Sequence, residues 1–162
     1  ASVEQGETLG DPWFGPSGFQ FTRVALRGDT LAVMVCVWTI EVRVFRWDGV
    51  AWRPRGDVIV LAEPKVDGNH VHLALGEDRV AFGGVGFVGF EYDEPGAMFV
   101  YEYRHHTGWT PVGRPVQSGA RRDEFARGMA FTGDRLAASA RVTADRNRVG
   151  LVKVRLYHLS ST

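Results

Sequence analysis

The sequence predicts an all-β chain assembled from repeated sets of short antiparallel strands. The chain matches itself three times, and a tight-turn signal divides each match into two apolar segments. β-Branched and aromatic residues are abundant, whereas segments with helical periodicity are scarce. The length of 162 residues suits about one domain. We therefore expect a single repeat domain over 1–162.

The first repeated element is an apolar hairpin. Its three copies run over 24–33, 73–82 and 129–138. Gly28-Asp29 forms the turn of the first copy, and Glu77-Asp78 and Gly133-Asp134 stand at the same place in the others. Such dipeptides tolerate the positive φ of a two-residue hairpin turn. The first copy predicts strands over roughly 21–26 and 31–38.

Two further elements follow each hairpin in the same order. A strand that ends on an aromatic residue runs over 42–47, 98–103 and 152–157. The pattern Trp-x-Pro-x-Gly then begins at Trp52 and at Trp109, and the third copy ends before reaching it. The first copy predicts a fourth strand running from Trp52 toward Leu61. The repeats thus cover about 14–65, 66–122 and 123–162, with the third one strand short.

A repeated four-stranded unit of about fifty residues is typical of a β-propeller blade. A β-trefoil also has three repeats, but it predicts related short hairpins rather than a continuous apolar second strand in every copy. Three blades are fewer than a closed ring of roughly four to eight. The chain would therefore belong to a larger propeller, associate with further copies, or complete a sheet with residues near 3–9. Each alternative leaves edges or faces for a partner to cover.

The repeat motifs resemble those of FG-GAP-like, integrin-type propeller proteins. The residues that carry this resemblance are the hairpin VALRGDTLAV, the strands VRVFRW and MFVYEY, and the segment GWTPVG, and it spans about 14–157. The resemblance implies propeller blades. Calcium-binding members carry an Asp-x-Asp-x-Asp-Gly type of loop, and the nearest segment, 91–94, lacks that spacing. We therefore expect no calcium and no other cofactor.

Composition excludes several classes of function. The 19 Lys and Arg residues balance 19 Asp and Glu residues, so no net charge attracts nucleic acid. The longest apolar run, 31–38, is too short for a membrane helix. Cys36 is the one cysteine, which excludes an intrachain disulfide and a multi-cysteine metal site. The compartment stays undetermined.

Three motifs that suggest chemistry have a simpler structural interpretation. Arg27-Gly28-Asp29 matches an integrin-recognition tripeptide, but it occupies the predicted hairpin turn. His70, His72 and His105-His106 lack nearby acidic or cysteine companions, so we expect no metal site. The glycine-rich segment 83–90 precedes a strand rather than the helix of a phosphate-binding loop.

The loop between the second and third strands of the middle repeat is the candidate binding site. It is the longest insertion between equivalent strands, and it contains Phe87, Phe90, Glu91, Tyr92 and Asp93. Aromatic anchors of this kind dominate many protein interfaces. The alternative is that these rings fold back over their own blade.

We therefore predict a non-catalytic interaction module that binds a protein partner or associates with itself. The alternative is a carbohydrate-binding propeller lectin, suggested by the surplus of tryptophan and tyrosine, although the repeated positions of Trp47, Trp52 and Trp109 favour packing within the blades. A propeller hydrolase using Glu91 and Asp93 is a third class, with no identifiable catalytic companions.

Overall fold

The computed structural model describes residues 21–36, 39–61, 71–84, 96–117, 124–142 and 151–160. Within these ranges the chain forms three antiparallel sheets and no helix, which confirms the predicted all-β class. The first sheet contains β1 (Phe21–Arg27), β2 (Thr30–Cys36), β3 (Ile40–Trp47), β4 (Trp52–Pro54) and β5 (Ile59–Leu61). The second contains β6 (Val71–Leu75), β7 (Arg79–Gly84), β8 (Ala97–Arg104), β9 (Gly108–Pro111) and β10 (Val116–Gln117). The third contains β11 (Glu124–Thr132), β12 (Arg135–Val142) and β13 (Leu151–His158).

Each sheet begins with the hairpin predicted from the repeat. Gly28 and Gly133 both have a φ of +55°, and each starts a two-residue loop between paired strands. The middle hairpin has a longer turn, in which the backbone N–H of Gly76 donates to the carbonyl of Arg79 at 2.7 Å. The repeated sequence therefore preserves the hairpin while its turn geometry varies.

The fourth strand of the first sheet is interrupted rather than continuous. β4 and β5 both pair with β3, and Pro54 and Gly56 lie at the start of the break between them. Proline has no N–H to donate to the ladder, and Gly56 has a φ of +77°. The prediction of one strand from Trp52 to Leu61 is corrected accordingly.

The second sheet repeats this interruption. β9 and β10 both pair with β8, and Gly113 of the second Trp-x-Pro-x-Gly pattern has a φ of +70°. In the third sheet, no strand among the described residues pairs with the outer edge of β13. In the first two sheets, β4 and β9 pair with the equivalent edges of β3 and β8.

The strand register corrects the alignment of the third repeat. The aromatic end of the third copy, Tyr157, was aligned with Trp47 and Tyr103. In the structure Tyr157 lies opposite Leu136, which is the position that Phe45 takes opposite Leu31 in the first sheet. The alignment is therefore shifted by two residues. A two-residue shift keeps every side chain on the same face, so the alternation of apolar residues does not detect it.

The sheets stack face to face, with the second sheet between the other two. The first core joins sheets one and two, and its largest members include Met34, Ile40 and Phe82. The second core joins sheets two and three, and its largest members include Met98, Phe125 and Leu136. All six residues of β7 are buried, because cores lie on both sides of that strand. Among the second strands of the three sheets, β7 alone lies between two cores within the described residues, since β2 and β12 each contribute to one.

Candidate functional site

The predicted binding loop falls outside the described residues. β7 ends at Gly84 and β8 begins at Ala97, so the loop connects the strands that the sequence predicted. Its site residues are Phe87, Phe90, Glu91, Tyr92 and Asp93, and all lie in the range 85–95, which is not described. The described residues instead offer two kinds of surface: the outer faces of the sheet stack and a groove between two sheets.

The two faces of each sheet have different roles in the stack. We call the face that packs on the next sheet along the chain the back face, and the opposite face the front face. In the described part of the chain, the first sheet has no sheet on its front face and the third has none on its back face. The free front face contains Val24, Leu26, Leu31, Val33 and Phe45. The free back face contains Ala137, Ser139, Val152, Val154 and Leu156.

The free back face exposes side chains that are buried at equivalent positions. Val42, Met98 and Val154 occupy the same register position in the three sheets. Val42 is 0% exposed and Met98 is 1% exposed, because the next sheet covers each of them, whereas Val154 is 65% exposed. The third sheet therefore presents the same type of apolar surface that the first two sheets bury.

The free front face also exposes a side chain whose equivalents are covered in the other two sheets. Leu26, Leu75 and Phe131 are equivalent by register. Leu26 is 66% exposed, whereas Leu75 is 8% exposed and Phe131 packs into the second core. Trp47 and Trp52 extend this face towards the end of the strands, with ring centroids 5.6 Å apart. Val24 and Leu26 are thus exposed on this face, whereas Leu31, Val33 and Phe45 are half-buried.

A groove with a volume of about 630 Å³ opens where the first and second sheets meet. We call it the inter-sheet groove, and it adjoins a second cavity of about 370 Å³. The ends of β3 and β8, β4 with the residue that follows it, and the β6–β7 turn line the groove, whereas the β1–β2 turn lines the adjoining cavity. The residues that line it include Arg46, Trp47, Arg55, Tyr103 and His105.

Arg55 connects the two sheets at the base of the groove. Its guanidinium pairs with the carboxylate of Asp78 and donates to the carbonyl of Glu77 at 3.0 Å. The guanidinium carbon also lies 4.6 Å from the ring centroid of Tyr103. The carbonyl of Arg55 accepts a hydrogen bond of 2.6 Å from the indole Nε1–H of Trp109. These contacts hold Arg55 of the first sheet against Asp78, Tyr103 and Trp109 of the second sheet.

Hydrogen bonds hold two carboxylates of this region in their ionised form. The Arg46 guanidinium, 3.0 Å from Asp29, is the main cause that lowers the pKa of that carboxyl. The backbone N–H of Ala51, and then the guanidinium of Arg53, lower the pKa of Asp48 to about 2. The groove thus offers fixed charges of both signs beside aromatic rings, an arrangement that suits a ligand with hydroxyl groups and an apolar face.

Two of the motifs singled out in the sequence lie near the groove. Arg27-Gly28-Asp29 forms the tight β1–β2 turn, as predicted, and the ion pair with Arg46 fixes its carboxylate. His105 and His106 stack edge to face with ring centroids 5.3 Å apart. Within the described ranges, no cluster of three or more His, Cys, Asp or Glu residues is arranged to hold a metal ion. Those ranges also contain no helix long and apolar enough to span a membrane.

Comparison with known proteins gives no match: no family model fits the chain, and neither curated proteins nor solved structures show a significant similarity.

Proposed function

We propose that the chain is a non-catalytic interaction module made of β-propeller-type blades of the FG-GAP-like kind. It binds a protein partner through the free faces of the sheet stack and through the loop 85–93 of the middle repeat. The proposal rests on one observation: Val154 and Leu26 are largely exposed at register positions where the other sheets bury apolar side chains against a neighbour.

Three repeats that pack in series support the assignment of blades. Each of the first two sheets has a four-strand order with an interrupted outer strand, and the first strands of successive sheets lie next to one another. A single blade cannot bury its apolar faces alone, so neighbouring blades stabilise one another. The end blades of such an array need an occupant for each free face.

Site-specific photo-crosslinking in cells that express the chain tests this function. A photoreactive amino acid is placed at Leu26, at Leu156 and at Phe87, and a control carries it at Val50, which is exposed in the β3–β4 turn. We expect protein crosslinks from the three test positions well above those from Val50. Equal crosslinking at all four positions would overturn the proposal.

The inter-sheet groove favours a second candidate function, that of a carbohydrate-binding lectin. Trp47 is 38% exposed and lines the groove together with Tyr103 and paired charged side chains. Aromatic rings beside fixed polar groups suit the apolar face and the hydroxyl groups of a sugar ring. A glycan array followed by titration tests this candidate. Binding that is lost in Trp47→Ala but kept in Leu156→Ala would favour the lectin over the interaction module.

A further inference from the structure

We infer that the partner of the free faces is a second copy of this chain, bound head to tail. The free back face of one copy covers the free front face of the other. This inference rests on the proposed interaction function, and it names the occupant of the two end faces. The same copy-to-copy contact then occurs twice in the dimer, once at each end of the stack.

The two cores inside the chain show that back faces and front faces are complementary. In the first core, the back face of sheet one packs on the front face of sheet two, and Val42 and Phe82 are among the buried members. In the second core, the back face of sheet two packs on the front face of sheet three, and Met98 and Leu136 are among the buried members. A back face on a front face is therefore an interface that this sequence forms twice.

The back faces and front faces that meet inside the chain are both apolar at equivalent positions. On the second strand of the three sheets, the back-face positions are Ala32 and Met34, Ala81 and Gly83, and Ala137 and Ser139. The buried front-face positions are Val80 and Phe82 in the second sheet and Leu136 and Ala138 in the third. The free front face carries Leu31 and Val33 at the same positions, so it is apolar where the other two sheets bury their front faces.

Charged residues lie at the margins of the two faces. The middle of the free back face, formed by Ala137, Ser139, Val154 and Leu156, is uncharged, and by register Arg135 and Arg141 flank it on the same side of β12. On the front side of β3, Glu41 and Arg43 pair with each other at 3.6 Å. The main driving force for association of these faces is therefore burial of apolar surface at their centres.

The described residues of two copies give six sheets, since those of each copy form three. A ring of six blades falls within the range of roughly four to eight seen in closed propellers. A head-to-tail contact that does not close would grow into a filament instead. Closure after two copies removes both free faces, so the dimer is the expected end point.

Complementary charge substitutions test the head-to-tail pairing. Leu26→Lys changes the free front face and Leu156→Glu changes the free back face, and both side chains are exposed within one copy. Light scattering measures the mass of each variant alone and of their equimolar mixture. Val50→Glu is the matched control, because Val50 is an exposed apolar residue outside both faces. Circular dichroism checks that each variant is folded, and Val24→Lys with Val154→Glu replaces the pair if either variant unfolds.

We expect the wild type and Val50→Glu to have twice the chain mass of 18.0 kDa. Each face variant alone should have a dimer association constant lowered by at least about tenfold. The mixture should recover the dimer mass, because one interface is then wild type and the other has opposite charges. Loss of the dimer in Leu26→Lys but not in Leu156→Glu would indicate a front-to-front contact and would overturn the inference.

Two other results would also overturn it. If the mixture stays monomeric, the two faces do not pair with each other. If the wild type is monomeric while Leu26 and Leu156 crosslink to a different protein in cells, the occupant is that protein. The second result would leave the proposed interaction function standing, whereas a monomer without any crosslinks would remove both.

Discussion

Val44 and Leu156 occupy the same position in their sheets, yet Val44 is 3% exposed and Leu156 is 76% exposed. Val44 lies opposite Ala32 in the first sheet, and Leu156 lies opposite Ala137 in the third. The difference arises because the second sheet covers Val44 and no described sheet covers Leu156. Exposure at this one repeat position therefore depends on whether a neighbouring sheet covers the side chain.

Threonine at these two positions should lower stability by clearly different amounts. Val44→Thr places a hydroxyl group in the first core and should lower the free energy of unfolding by about 1–3 kcal/mol. Leu156→Thr changes an exposed side chain and should alter it by less than about 0.5 kcal/mol in the monomer. Urea denaturation at low protein concentration measures both. Equal losses would show that the back face of the third sheet is covered within one copy.

Gly28→Val should weaken the β1–β2 hairpin by about 1–3 kcal/mol, because a β-branched residue resists positive φ. A Cβ at this position would meet no atom within 4 Å, so the cost comes from the backbone and not from a clash. Gly28→Asn is the control, since asparagine tolerates this conformation better. Thermal denaturation of the two variants should separate them, and identical melting would contradict the turn assignment.

Trp109→Ala should destabilise the chain by about 3 kcal/mol, whereas Trp52→Ala should cost clearly less. The two residues are equivalent by position, opposite Tyr103 and Trp47 respectively. Only Trp109 of this pair packs against the core between the first and second sheets, and its indole N–H bonds to Arg55 across that interface. Chemical denaturation gives the two free energies. A larger loss in Trp52→Ala would contradict the direction of stacking.

Asp48 should contribute to stability in a pH-dependent way. Its pKa falls from 3.8 to about 2 on folding, chiefly through the N–H of Ala51. Because the folded pKa is lower, the contribution is complete above the unfolded pKa and is lost as the pH falls through about 2. The difference in melting temperature between wild type and Asp48→Asn should therefore shrink from pH 6 towards pH 2. Glu77→Gln, another exposed carboxylate, is the control, and a difference that grows on acidification would contradict this sign.

Local signals in the sequence predicted the hairpins and the place where each outer strand begins, at Trp52 and near Trp109. The glycine of Trp-x-Pro-x-Gly has a positive φ in both copies, at Gly56 and Gly113, so the repeated pattern reports a repeated backbone conformation. The interruption that this pattern creates was missed, although the proline at its centre is the signal that could have shown it. The register of β13 was missed because a shift of two residues preserves the faces of a strand.

Contacts between sheets were not predictable from the repeat. Arg55 binds Asp78, Tyr103 and Trp109, which belong to the next repeat, and nothing in the local pattern around Arg55 selects those partners. The inter-sheet groove therefore emerged only from the structure. The predicted loop with Phe87 and Phe90 lies outside the described residues and stays a prediction.

Sedimentation velocity of the unmodified chain over a wide concentration range tests whether the free faces of two copies pair. We expect a species with twice the mass of the 18.0 kDa chain, and we expect it to persist at high salt, because apolar faces rather than ion pairs form the contact. A single species of 18.0 kDa at every concentration would contradict head-to-tail pairing of the free faces.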